Sequence, residues 1–204
     1  TIPIMNAYEF VKLQAEVIDP TQMVSENGYF KTYEGKTYSL EDYRNIDQYN
    51  WQDMIFRDAT QQSHSLTLNG GTAGNRYNAS LSYFDQDGIV IASNFNRLQG
   101  RLSNSIRRNK LSINLSVNYS NSTQNGRSPS QSTFSGMNNL FYSVWGYRPV
   151  TQPGVPLSYL KDNAFDDNVD SSVDYRFNPI LSLENENVKN NTTYVQFNGF
   201  TEYE

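Results

Sequence analysis

Side chains able to do chemistry are sparse in this sequence and fall into three groups. The first is an acidic run, Asp166, Asp167, Asn168, Asp170, Ser172 and Asp174, whose oxygens recur at alternate positions as in a calcium-binding loop. Ser171 stands where such a loop needs glycine and Phe177 where it needs a bidentate glutamate, so Asp166, Asn168 and Asp170 match a calcium site only in part. The second group is Tyr142, Trp145 and Tyr147, whose rings could stack on the C–H faces of sugars, form the centre of a self-packed loop, or contact a partner protein. The third is Arg97 and Arg101, which a two-residue period puts on one face of a strand, able to pair with carboxylates of the protein or of an anionic substrate. His64, the single histidine, falls in phase with Leu66 and Leu68 near a strand end, an interfacial position and not a catalytic one. Without cysteine there is no thiolate nucleophile, disulfide or thiolate zinc site, and one histidine cannot form a His-x-x-x-His ligand pair. No cluster of nucleophile, base and orienting group stands out, and no phosphate loop, so an enzyme is not expected.

The elements that carry these residues are set by an unusual kind of hydrophilicity. The chain has 204 residues, a net charge of -5 and only 18% charged residues, below the roughly 25% usual in soluble domains. Its mean hydropathy is nevertheless -0.68, because 25 Asn and 22 Ser supply neutral polarity, and 15 Tyr, 11 Phe and 2 Trp supply apolar bulk. The longest aliphatic run, Ile89 to Ala92, is far short of the roughly 20 residues of a membrane-spanning helix. An acidic chain with no basic stripe is not expected to bind nucleic acid.

Residues 1–61 read as a loop region with short helices at about 5–18 and 39–45. Asn6 and Glu9 have the spacing of a capping box, Phe10, Leu13 and Val17 recur at helical spacing, and Asp19-Pro20 ends the run. From 62 to 122 the period becomes two, giving four antiparallel strands of about 9 to 13 residues separated by Gly70 to Asn75, Asp85 to Asn94 and Arg107 to Asn109. The clearest sets Leu111, Ile113, Leu115, Val117 and Tyr119 against Ser112, Asn114, Ser116, Asn118 and Ser120. Residues 123–190 form a long loop punctuated by Gly and Pro, and 191–204 a further strand. Long strands with one apolar and one neutral polar face, and short turns alternating with long loops, fit an antiparallel transmembrane β-barrel segment, all-β in class. A soluble extracellular β-sandwich, as in a carbohydrate-binding or adhesin module, is the alternative; it predicts strands of five to seven residues and a charged outer face.

The segments Asn6-Ala7-Tyr8-Glu9-Phe10, Trp51-Gln52-Asp53 with Ile55-Phe56-Arg57, Gln62 to Leu66, Tyr77 to Tyr83, Asp85-Gln86-Asp87-Gly88-Ile89-Val90 and Arg101-Leu102 follow one another in a characteristic order. In that order they resemble the start of the barrel region in the SusC/RagA family of TonB-dependent outer-membrane transporters. The resemblance covers residues 4–16 and 50–120. It implies a barrel of about 22 strands, a separate plug that Arg97 and Arg101 could meet from the lumen side, and a SusD-like surface lipoprotein as lid. It further implies energy from TonB, glycan or peptide substrates, and residence in the bacterial outer membrane. About five strands cannot close such a barrel, so the chain is expected to be a fragment with no chemistry of its own.

Overall fold

A computed structural model describes residues 2–126, 140–167, 176–185 and 187–204. The chain divides into two compact units, Thr1–Arg57 with Ser128–Glu186, and Asp58–Arg127 with Asn187–Glu204.

The first unit is helical. Helix α1 (Ala7–Val17) starts where the Asn6 side chain accepts from the Glu9 amide at 2.9 Å and the Glu9 carboxylate accepts from the Asn6 amide at 3.0 Å. It stops before Asp19, which caps the short helix α2 (Pro20–Met23) by accepting from the Thr21 amide at 2.8 Å. A two-stranded hairpin, β1 (Thr32–Tyr33) and β2 (Lys36–Thr37), precedes a 3-10 helix over Leu40–Arg44. Asn50 caps α3 (Trp51–Ile55) by accepting from the amides of Gln52 and Asp53. The second stretch of the unit adds α4 (Leu140–Gly146), α5 (Ser158–Asp162) and α6 (Pro179–Asn185).

None of these short helices can bury its apolar residues alone, so distant segments share cores. One cluster joins Ala7, Val11, Met23, Tyr29 and Tyr43 to Val150; the other joins Trp51 and Ile55 to Val144, Tyr147, Leu160 and Ile180. Polar contacts fix the same seam, with the Trp51 indole N–H donating to the Arg148 carbonyl at 3.1 Å and the Tyr49 amide to the Pro149 carbonyl at 2.9 Å. Within the segment expected as a long loop over 123–190, the described stretches 140–167 and 176–185 thus share cores with the N-terminal stretch. Asn178 is fully buried at the joint of α5 and α6. It donates to the carbonyls of Leu160 and Lys161 at 2.9 and 2.8 Å and accepts from the amides of Ile180 and Leu181 at 2.9 and 3.1 Å, ending one helix and starting the next.

The second unit is a single sheet of five antiparallel strands in sequence order: β3 (Gln61–Thr72), β4 (Asn75–Asp87), β5 (Asn94–Arg108), β6 (Leu111–Asn125) and β7 (Lys189–Tyr203). The strands run 12 to 15 residues, more than twice the usual five or six. Two-residue turns join β3 to β4 and β5 to β6, the second placing Asn109 at φ 54°, a left-handed conformation that Asn tolerates. At the other end of the sheet, the link from β4 to β5 is closed by the Gly88 amide donating to the Ser93 carbonyl at 2.9 Å. No helix among the described residues is long and apolar enough to cross a membrane.

Candidate functional site

The continuous register of the sheet sorts its side chains into two faces. Leu66, Leu81, Gly100, Tyr119 and Val195 lie opposite one another across the five strands, and the next row on the same face is Leu68, Ala79, Leu102, Val117 and Phe197. Because successive residues point to opposite faces, the intervening rows are polar. Thr67, Ser80, Arg101, Asn118 and Gln196 form one, and Asn69, Asn78, Ser103, Ser116 and Asn198 another.

The apolar face is bare. Leu66 is 70% exposed, Leu102 54%, Leu115 52% and Phe197 75%. Single exposed leucines are ordinary on a soluble protein, but an apolar face spanning five strands marks a contact surface for another protein or for lipid. The polar face is stitched by side-chain amides and hydroxyls, such as Asn78 donating to Asn69 and Asn198 donating to the Ser116 hydroxyl at 3.3 Å. Arg97 sits opposite Phe84 with its guanidinium over that ring, 5.8 Å from the centroid, and Arg101 sits opposite Ser80. Both arginines therefore fall on the polar face. His64 lies on the other face, opposite Tyr83.

In the helical unit the three candidate aromatics separate. Tyr142 is 57% exposed, and Trp145 is partly exposed with one face stacked on Phe141 at 5.0 Å and 9°. Tyr147 is 3% exposed and meets Trp51 edge-on at 5.2 Å, inside a hydrophobic cluster. Its hydroxyl is held above its ordinary pKa by burial, as are those of Tyr29 and Tyr43. Of the calcium candidates, Asn168 and Asp170 lie outside the described residues, and Asp166 is fully buried in an ion pair with Arg148, itself 3% exposed. Among the described residues no group of three His, Asp or Glu is placed to hold a metal.

Arg148 is the structural residue that sequence reasoning missed. Besides Asp166 it reaches the Tyr29 hydroxyl at 3.4 Å, and its carbonyl accepts from Trp51, so it touches the residues of both apolar clusters. In the sequence Arg148-Pro149 gives only a turn signal. Asn178-Pro179 does carry a legible signal, a capping residue followed by proline at the first helical position. On the surface of the same unit, Lys36 lies 2.5 Å from Asp42 and, with the amide and hydroxyl of Ser39, holds that carboxyl down to about 2.

Comparison with known proteins adds to this geometry. No family model matches the chain. A stretch of 74 residues, 35% of this chain, is 38% identical to the TonB-dependent receptor SusC of Bacteroides thetaiotaomicron. Over 68 residues, 33% of its length, the chain is 35% identical to the TonB-dependent receptor P3 of Formosa agariphila. Each match spans 7% of the relative's length. The fold is similar to a chain in the structure of the RagAB peptide importer in its closed-closed state, with a TM-score of 0.57 over 98% of this chain and 24% of that one, at 16% identity. The named sequence relatives are receptors, not enzymes.

Proposed function

We propose that this chain, which its matches mark as SusC/RagA-type TonB-dependent receptor sequence, is a stretch of outer-membrane barrel wall with an extracellular loop unit, from a transporter that takes up glycans or peptides. The observation that carries the reading is the bare apolar face. From Asn121, in the row of Tyr83 and Leu98, to Leu111, in the row of Tyr203, β6 advances ten residues. That is about 34 Å of strand, or about 26 Å of height at a tilt of about 40°, against an apolar band of about 25 Å on outer-membrane barrels. Tyr83 and Tyr203 fall near its two ends, where barrels carry aromatic girdles. On this reading the polar face lines the lumen and places Arg97 and Arg101 there. An arginine on the lipid side would cost about 2 to 4 kcal/mol at the midplane.

The same reading makes a demand at the edges of the sheet. The outer edges of β3 and β7 have no strand beside them among the described residues, and within a bilayer every backbone group must be paired, so further strands must flank both. The short turns would face the periplasm and the longer links the outside, where a SusD-like lipoprotein would cover them. Tyr142 and the free face of Trp145 are the aromatic surfaces available there to substrate or lid; Tyr147 is core. Energy would come through TonB. The test is uptake by the whole transporter of a labelled glycan or peptide that supports growth, with and without TonB. Loss of uptake without TonB is expected, and unimpaired uptake would refute the transport reading.

A further inference from the structure

Resting on the barrel reading above, we infer that the outward face carries a binding site for one anionic phospholipid at its periplasmic end, where β4 meets β5. From the row of Leu66 to that of Tyr203, the outward positions hold one charged residue, Arg108, and two side-chain amides, Asn75 and Asn104. All three fall in one corner. Arg108 pairs with Leu111 in the row of Tyr203, Asn75 pairs with Ile106 in the next row, and Asn104 pairs with Tyr77 in the row after. The Asn104 amide donates to the Asn75 side-chain carbonyl at 2.9 Å. Tyr77 leans away from Asn104, its hydroxyl lying over Gly70 on β3. Lys110 stands in the turn that joins β5 to β6. Of the acids near this end, Glu202 pairs with Ser112 on the polar face, and Glu204 lies 3.6 Å from Arg107, the neighbouring cation on that same face.

Depth decides what fits. At about 3.4 Å per residue and a tilt of about 40°, Asn75 lies about 5 Å and Asn104 about 10 Å inside the level of Arg108. An arginine at the end of the apolar band reaches into the headgroup layer while its stem stays on apolar surface. Its planar fork matches a phosphate, and Lys110 adds a point charge beside it. Deeper in, water no longer serves the amides. The bond between the two asparagines uses one of their four N–H donors, and a polar group left unpaired in hydrocarbon is costly. The acceptors a bilayer offers just inside its headgroups are the ester carbonyls of the lipid itself. Further in, Ala79 beside Leu102 and Gly100 two residues beyond it keep the face low. A Cβ at Gly100 would just touch Leu81, at 3.9 Å, so an acyl chain can lie along β5. The corner thus presents cation, amide donors and low apolar surface in the order in which a phospholipid presents phosphate, esters and chain. A phosphodiester is also the anion that a bilayer holds at the end of its apolar band.

The experiment uses the full-length transporter in phosphatidylcholine vesicles, with the fluorophore bimane attached at Ile113→Cys, which pairs with Ile106 beside the corner, or at Val117→Cys in the middle of the face. Three lipids with brominated chains serve as quenching probes: phosphatidylglycerol, phosphatidylcholine and ether-linked phosphatidylglycerol, which lacks the ester carbonyls. At Ile113 the ester-linked phosphatidylglycerol should reach half-quenching at about one fifth the fraction that phosphatidylcholine needs, the worth of one basic residue near an anionic surface. It should also outdo its ether-linked counterpart by about fivefold, the worth of one hydrogen bond. At Val117 the three should quench alike. The combined variant Arg108→Gln, Lys110→Gln should lose the first preference and Asn104→Leu the second, with quenching at Val117 unchanged as the sign that each variant still folds into the bilayer. Equal quenching by all three probes at Ile113, or preferences that survive both variants, overturns the inference. Quenching at Val117 with none at Ile113 would put protein, such as a second copy of this chain, over the corner, and overturns it with the barrel intact. Absence of quenching at both positions refutes the barrel reading itself.

Discussion

Replacing Asp166 by Asn removes a charge and almost nothing else, and its effect can be worked from burial alone. The Arg148 and Asp166 side chains are 3% and 0% exposed, and the Tyr29 hydroxyl beside them is buried. Leaving one partner of such a pair unneutralised costs about 3 to 5 kcal/mol, which is roughly a 150- to 5,000-fold increase in the population of the opened helical unit. Arg148→Met in the same background removes the stranded charge, so the double variant should recover much of the loss, less the cost of the side-chain amide left buried at position 166. Native-state hydrogen exchange of the peptides containing Trp51 to Ile55 and Val144 to Val150, in the full-length protein, reads the opening free energy directly. Strong coupling between the two substitutions is expected. A loss below about 1 kcal/mol for Asp166→Asn, or a double variant as unstable as the sum of the singles, would refute the assignment of this pair as the joint between the two apolar clusters.

Other substitutions probe separate links. Trp51→Ala should destabilise the helical unit by about 3 to 5 kcal/mol, measured by the same exchange, because its ring fills the cluster against Tyr147. Asn178→Ala removes the side-chain partner of three carbonyls and two amides at the joint of α5 and α6, at about 1 to 3 kcal/mol or more, and should raise protease cutting there. Leu115→Arg should reduce folding into lipid vesicles by about 2 to 4 kcal/mol while Asn114→Arg changes it little. The Asp42 carboxyl is depressed from 3.8 to about 2, so its contribution is complete above pH 3.8 and lost as pH falls through about 2. Amide exchange at Ser39 and Asp42 should speed up over that acid window, and Lys36→Met should move the change to higher pH.

What was legible in the sequence is what is local or periodic. Asn6 and Glu9 announce a helix start from three residues apart, and the alternation from Leu111 to Tyr119 fixes which side chains share a face before any partner strand is known. Register then follows, because a one-residue slip would put Leu115 among the asparagines. The helical unit was not legible for the opposite reason. Trp51 and Arg148 lie 97 positions apart, and nothing local distinguishes a tryptophan that will be buried by a distant segment from one left at a surface. The same gap leaves Tyr147 open in the sequence between a recognition surface and the centre of a packed loop, and its ring lies in a core. Asp166 shows how a short acidic pattern conceals a partner 18 residues earlier in the chain.

The account stands or falls on whether the two faces of the sheet meet different solvents. Spin labels placed one at a time from Asn114 to Asn118 in the full-length protein, reconstituted in lipid, report collisions with oxygen, which concentrates in the bilayer, and with a water-soluble nickel chelate. Labels at Leu115 and Val117 should collide with oxygen and those at Asn114, Ser116 and Asn118 with the chelate, alternating residue by residue. Uniform access to the chelate along the strand, or protection of Leu115 and Val117 from both reagents inside a second layer of protein, would contradict the barrel wall.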